Sequence, residues 1–417
     1  MPRSPHLILF DLYVGGHHMQ YLFDLARYWV EHNLPGHLDV ACPRAGLERH
    51  PELAAYLDTH RQDGLGYVEV EVPVGFEQVH GLRGLLRNDR IHGRLVQHHI
   101  DALQPDQAVF MYVDHAQVSL ATRLRFRHPV GLSGIYFRPS FHYGALDPEA
   151  GPVSRTERLQ RLRKRLLLRA ALRNPHFHTL FSLDPYVVPF IEAWHPTATV
   201  VGLPDGARID PPVRTPEAQR AAWGLTPDRH VLLLFGALDA RKGLHVLFDA
   251  LPHLPQTLQA RVALVLAGRL RPEEAATIQR HLDEVRRQTA VEVVQDHRYI
   301  LESEIQALIH ASDVVLLPYQ QHIGSSNVLV RAAAAGVPVL GPTYGLVGAH
   351  LRAQRLGLAV DSTAPRAVAQ GIERLLLRTA SPVADPAAMH TFANYHAIEH
   401  FGETFFEHLG LRAPTSS

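Results

Sequence analysis

The chain has 417 residues, 46% apolar and 20% charged, with 41 basic and 41 acidic side chains in balance, so it lacks the basic surplus of a nucleic-acid binder and no nucleic acid is expected as a partner. At a soft prior of roughly 150 residues per domain, this length predicts two large cores. Cys42 is the only cysteine, which excludes an internal disulfide, and the opening MPRSPHLILFDLYVGG is too short in apolar residues, with Asp11 inside it, for a signal peptide; a cytoplasmic protein is expected.

Short apolar runs alternate with helix-period segments from the start: HLILFDLY then MQYLFDLARYWVEH; HLDVACP; YVEVEVP then RIHGRLVQHHIDAL; QAVFMYV then AQVSLATRLRFR; VGLSGIYF; HTLFSLD. Such alternation predicts a parallel sheet covered on both faces. Residues 202–229 break the pattern with proline, glycine and charge, as a linker would. A second series follows: HVLLLFG, RVALVLAG, VEVVQDH, DVVLLPY and VPVLGP, each feeding a helical segment or a turn. The expected fold is α/β, two doubly wound Rossmann-like domains facing one cleft. The expected division is 1–203, then 204–384, with a helical end over 385–417 packing back on the first domain. Ligands of such sheets bind beyond the carboxyl ends of the strands.

Several stretches carry candidate chemistry. GGHH at 15–18 lies between the first strand and first helix, which makes Gly15, Gly16 and His18 candidates for a loop at the cleft. FRPSFHYG, 137–144, follows the strand VGLSGIYF. RTERLQRLRKRLLLRAALR, 155–173, sets eight basic residues against one acid with leucines at helical spacing, the pattern of a helix resting on an anionic membrane or of an ordinary basic face. No stretch approaches the roughly 20 apolar residues that span a bilayer, so any membrane contact is expected to be peripheral. The 29 histidines scatter without a metal-binding spacing, and neither a metal nor a cofactor is expected.

Arginine is used almost everywhere a cation stands; the exceptions are Lys164 and Lys242. Lys242 ends the turn GALDARKG, where a strand returns into a helix and a phosphate would meet the positive helix end. The stretch QHIGSSNVLV places Gly324, Ser325 and Ser326 at a second helix start, with hydroxyls and amides available to an anion.

As an ordered set, PDG at 204–206, GALDARKG at 236–243, SDVVLLPY at 312–319 and AAAAGVPVLG at 332–341 resemble the donor-binding half of the retaining glycosyltransferases of family 4, which have the GT-B fold. The resemblance covers roughly residues 200–378 well and the first half in outline. It implies a nucleotide-diphosphate sugar as donor, a sugar or lipid-linked acceptor, and donor diphosphate contacts from Lys242, Arg241 and the 324–326 loop. It also implies nucleoside or sugar contacts from Asn327 and Arg331, and catalytic candidates in His17, Arg138 and His142.

The departures from the family pattern are specific. Ala237 stands where the family carries an arginine, and Ile323 and Arg331 stand where it carries two glutamates. The family's active-site histidine falls near Ile135 or Tyr136, which leaves Arg138 or His142 to take its place. Ile323 accepts no hydrogen bond from a sugar hydroxyl, and Arg331 only donates. The resemblance still implies transfer of a sugar, with retention, to a cell-envelope or polysaccharide acceptor, in the cytoplasm and at the inner face of the membrane. The alternatives are a catalytically silent GT-B protein that binds nucleotide sugar or a partner enzyme, and a sugar-nucleotide epimerase. Pyridoxal-dependent chemistry is disfavoured, because a Schiff base needs a pocket lysine.

Overall fold

A computed structural model describes residues 4–14, 18–76, 81–122, 124, 126–143, 154–377 and 383–412. They divide into two units, one drawn from Met1–Gly144, Gly151–Gly206 and Ile398–Ser417, the other from Ala207–Ala397.

The first unit is built on seven strands: β1 (His6–Phe10), β2 (His37–Cys42), β3 (Leu65–Glu69), β4 (Gln107–Phe110), β5 (Gly131–Tyr136), β6 (Phe177–Ser182) and β7 (Thr199–Gly202). They lie parallel in the order β3-β2-β1-β4-β5-β6-β7. The run HLILF forms a central strand because both of its faces are buried: Leu7 and Leu9 enter one core, Ile8 and Phe10 the other. The chain leaves β1 in one direction to β2 and later returns on its other side as β4. The carboxyl ends of β1 and β4 therefore flank the point where strand order reverses, the place where open α/β sheets bind ligands.

The second unit repeats the plan with six strands: β8 (His230–Phe235), β9 (Val262–Ala267), β10 (Glu292–Asp296), β11 (Val314–Leu316), β12 (Val339–Pro342) and β13 (Gly357–Val360), parallel in the order β10-β9-β8-β11-β12-β13. Val231 and Leu233 of β8 face one core, Leu232 and Leu234 the other. Here the reversal falls between β8 and β11. Both sheets are thus doubly wound and Rossmann-like, as the alternation predicts.

The division of the chain differs from the expected one at both ends. The first hand-over falls between Gly206 and Ala207, and the second between Ala397 and Ile398, not at 385. The helix Pro386–Tyr395 stays with the second unit, where Met389, Phe392 and Ala393 join its core. Only the helix Ile398–His408 joins the first unit: Ile398, Phe401, Phe405 and Phe406 are buried there, with the Phe405 ring 5.1 Å from that of Phe181. Packing decides this, because both helices are amphipathic and the sequence alone gives each an equal claim on either core. Among the described residues no helix is long and apolar enough to cross a membrane.

Candidate functional site

In the second unit the turn after β8 is held by Asp239. This carboxylate is 2% exposed; it accepts the Arg241 backbone N–H at 3.1 Å and the Arg241 guanidinium at 2.9 Å, with Arg271 a further 3.5 Å away. Arg241 is therefore folded back on its own turn. Gly243 follows at φ +69°, and a side chain there would put its Cβ 2.0 Å from the Pro318 carbonyl oxygen, so only glycine lets the turn lie against the end of β11.

This close approach delivers Lys242 to the point of strand reversal. Its ammonium donates to the Phe235 carbonyl at 3.1 Å and to the Tyr319 hydroxyl at 3.2 Å. The same Tyr319 hydroxyl lies 3.1 Å from Ser326 Oγ. Ser326 occupies the N-cap position of the helix Asn327–Ala334, yet its side chain makes no capping bond to that helix. Lysine, tyrosine and serine thus form one polar chain ending at the positive end of a helix dipole. Tyr319 is itself fixed, because its carbonyl accepts from Tyr344 at 2.6 Å and from Ser362 at 2.8 Å. Among the described residues Lys242 has no carboxylate partner, so its charge is left to a ligand or to solvent. Beside it, the ring of His322 holds the Ser325 carbonyl at 3.0 Å, which shapes the loop through Gly324.

Of the two residues expected at the nucleoside end, Arg331 is 6% exposed and already engaged. Its Nε donates to Asn327 Oδ1 at 2.6 Å, and its Nη2 pairs with Glu302 from the helix Glu302–His310. The structure brings Arg331 and Asn327, one turn apart on their helix, into contact with each other and adds Glu302, which no motif in the sequence marks.

In the first unit Gly15, Gly16 and His17 lie outside the described residues. His18 opens the helix His18–Glu31 and places Nδ1 2.7 Å from Asp11 Oδ2, a carboxylate only 2% exposed. Around this pair stand aromatic rings from the ends of β1, β4 and β5: Tyr13 at 5.7 Å from the His18 ring, Tyr112 at 5.1 Å and Phe137 at 6.3 Å. His115 is hydrogen-bonded to Tyr13, and its imidazole is lowered to about 4 by burial and by the charges of Arg138, His18 and Lys164. It is held neutral at neutral pH.

Arg138 is exposed, and its position is set from behind. Asp114 accepts the backbone N–H groups of Phe137 at 2.9 Å and Arg138 at 3.1 Å, while Lys164 donates to the Arg138 carbonyl at 3.3 Å. Burial lowers Lys164 below the ordinary lysine range, partly opposed by Asp114. His142 is placed differently: its side chain is fully buried, its Nε2 lies 3.0 Å from Asp184, and the Tyr143 hydroxyl donates to the same carboxylate. In this arrangement Arg138 faces solvent and His142 is enclosed beside Asp184. Asp11, Tyr13, Tyr112, Asp114 and His115 escaped the sequence reading, since each gains its place only when the ends of β1, β4 and β5 are adjacent.

Two doubly wound parallel sheets, the second presenting a lysine and a Gly-Ser helix start at its strand reversal, define a protein of GT-B architecture. Residues 229–378 match the model of the family described as glycosyl transferases group 1. The chain is 28% identical over 197 residues to the D-inositol 3-phosphate glycosyltransferase of Jonesia denitrificans, an alignment covering 45% of this chain and 43% of that protein. It is also 28% identical over 224 residues to the GDP-mannose-dependent alpha-(1-6)-phosphatidylinositol monomannoside mannosyltransferase of Mycolicibacterium smegmatis, over 51% of this chain and 55% of that one. The chain thus spans about half the length of these curated relatives. Among solved structures, HepE of Anabaena in complex with UDP superposes with a TM-score of 0.65 at 14% identity, over 97% of this chain and 99% of that chain, a likeness of fold alone. Residues 229–378 are thus of the group 1 glycosyl transferase type, and the chain has the GT-B fold.

Proposed function

We propose that this protein transfers a sugar, with retention, from a nucleotide-diphosphate sugar to a cell-envelope or polysaccharide acceptor, working from the cytoplasmic side. The observation that carries the reading is the chain Lys242–Tyr319–Ser326 at the strand reversal of the second unit. A cation without a carboxylate partner, beside the start of a helix, suits the diphosphate of a donor. The same groups would stabilise the charge that develops on the diphosphate as the sugar leaves. In retaining transfer of this type the leaving diphosphate can itself serve as base, so the absence of carboxylates at Ile323 and Arg331 bears on donor positioning more than on acid-base work. One relative named for GDP-mannose and a neighbour bound to UDP make uridine and guanosine diphosphate sugars the donors to test first.

The helix Arg155–Ala171 supports peripheral contact with anionic lipid, where a lipid-linked acceptor would reside. Leu159, Leu162 and Leu166 are 67%, 51% and 58% exposed among its arginines.

A second reading, a silent protein that binds the nucleotide sugar without turning it over, is favoured by the engagement of Arg331 with Asn327 and Glu302. Thermal-shift titration with UDP, GDP and their sugars, followed by release of labelled sugar from the ligand that binds, separates the two. Stabilisation with turnover establishes the transferase; stabilisation without hydrolysis or transfer establishes the binder. No shift with any nucleotide diphosphate refutes both.

A further inference from the structure

The 29 histidines show no metal-binding spacing along the chain, but β-sheet pairing creates one. In the parallel register of β1 and β2, His6 lies directly opposite His37, and Asp39 follows two residues on, on the same face as His37. His6 Nε2 is 2.8 Å from Asp39 Oδ2, and His37 Nε2 is 3.2 Å from Asp39 Oδ1. The two imidazole rings are 5.2 Å apart, and the donor atoms of all three side chains lie within 4.8 Å of one another. Zinc binds imidazole nitrogen and carboxylate oxygen at roughly 2.0–2.2 Å in a tetrahedron, whose edges are then about 3.3 Å. The His37–Asp39 separation of 3.2 Å approaches such an edge, while the 2.8 Å His6–Asp39 contact is a hydrogen bond that a cation would open by about half an ångström.

The surroundings leave this cluster accessible. Across β3, Asp39 faces Gly66, where an added Cβ would stand 2.3 Å from Asp39 Oδ1 and 3.0 Å from His37 Nε2. A side chain at 66 would fill the space beside the donor atoms, and glycine leaves it clear. His6 and Asp39 are 16% and 11% exposed at their side chains, while His37 is 45% exposed and gives the cluster a face to solvent. Burial pushes the Asp39 carboxyl up, but the hydrogen bonds from His37 and His6 outweigh it and hold the group below the usual carboxylate range.

We propose that His6, His37 and Asp39 form a binding site for a divalent transition-metal cation, zinc by the chemistry of two imidazoles and one carboxylate, at the amino ends of β1 and β2. The site stands at the opposite end of β1 from Asp11 and His18, so it clamps the starts of two strands and takes no part in the chemistry near the strand reversal. Three protein ligands leave a fourth position for water on the His37 side. In the absence of a cation the same groups form a carboxylate shared between two imidazoles, and the experiment separates these two arrangements.

The full chain, stripped with EDTA, is titrated with zinc chloride by calorimetry and with cobalt(II) by visible absorption. The expected result is saturation at one equivalent, tetrahedral cobalt bands, and a zinc-dependent rise in the thermal midpoint. His37→Ala and His6→Gln should each weaken zinc by about tenfold or more and abolish that rise, while retaining the far-ultraviolet spectrum of the wild type. His98→Ala, an exposed histidine on the helix Gly81–Leu103, should leave all three readouts unchanged. The proposal is overturned by a wild-type chain that shows no saturable equivalent, or by a folded His37→Ala or His6→Gln chain that binds zinc as the wild type does.

Discussion

The ammonium of Lys242 lies 3.2 Å from the Tyr319 hydroxyl and 4.8 Å from the centroid of the same ring. One aromatic side chain therefore accepts a hydrogen bond from the lysine and offers it a π-face. This double contact holds the charge at the end of β8 without neutralising it, as a paired carboxylate would.

Removing the charge tests its use. Lys242→Ala should weaken nucleotide diphosphate binding by at least tenfold, corresponding to a charge-assisted contact of about 1.5–3 kcal/mol. Tyr319→Phe keeps the ring but releases both Lys242 and Ser326, and should cost about 1 kcal/mol of the same affinity. Calorimetric titration of both variants with UDP and GDP is the measurement. Unchanged affinity in a folded Lys242→Ala chain for a nucleotide that the wild type binds would remove the phosphate role.

The Arg331–Glu302 pair makes a charge-swap experiment possible. Arg331→Glu, which introduces the residue usual in the family, sets a second carboxylate beside Glu302 and leaves Asn327 Oδ1 without its donor. The variant should lose about 1–3 kcal/mol of stability in urea unfolding. Adding Glu302→Arg should recover part of that loss. Equal stability of the single and double variants would show that the pair is not coupled.

Acid sensitivity should come from two buried histidines of the first unit. Burial, helped by the charge of His115, lowers His92 to about 3, and its ring nitrogens have no hydrogen-bond partner among the described residues. His115 is lowered to about 4. Both folded values lie below the ordinary value near 6.5, so between these limits the unfolded chain binds more protons than the native one. Their contribution is fully present above about pH 6.5 and falls as pH drops towards 4, by about 1.4 kcal/mol per pH unit for each group. His92→Phe should flatten this dependence, checked by denaturant midpoints at pH 5 and pH 7. Equal pH dependence in variant and wild type would contradict it.

Membrane contact by the helix Arg155–Ala171 should depend on charge and on its exposed leucines. Co-sedimentation with vesicles should require anionic lipid and weaken as salt rises over the range where the Debye length shortens from about 10 to 3 Å. Replacing Leu159, Leu162 and Leu166 by serine should reduce binding further, since the three lie on one helical face. Binding to neutral vesicles at high salt, or to none, would count against the helix as a lipid contact.

The strands β1, β8 and β9 could be read from sequence because each is a continuous apolar run buried on both faces, and that burial leaves its mark on every residue. The four-residue edge strands β7 and β13 left no such mark, since TVVG and GLAV become strands through their pairing with β6 and β12. Lys242 stood out by its rarity and its place at a strand-to-helix turn, both local properties. Its partner Tyr319 did not, because a tyrosine ending a strand says nothing of which turn lies beside it. Only the order β8-β11 makes them neighbours.

The same physics separates what was legible from what was not in the first unit. Hydrophobic periodicity reports burial one residue at a time, and so the sequence by itself determined the α/β class, the two doubly wound sheets and the turns at which polar groups collect. Convergence of side chains depends on register between strands far apart in the chain. His6 meets His37 and Asp39, and His18 meets Tyr112, because backbone hydrogen bonds set β1 beside β2 and β4 in one register. A shift of one residue between β1 and β2 would set His37 and Asp39 on the opposite face from His6, and no local pattern encodes that choice, so tertiary structure alone decided it.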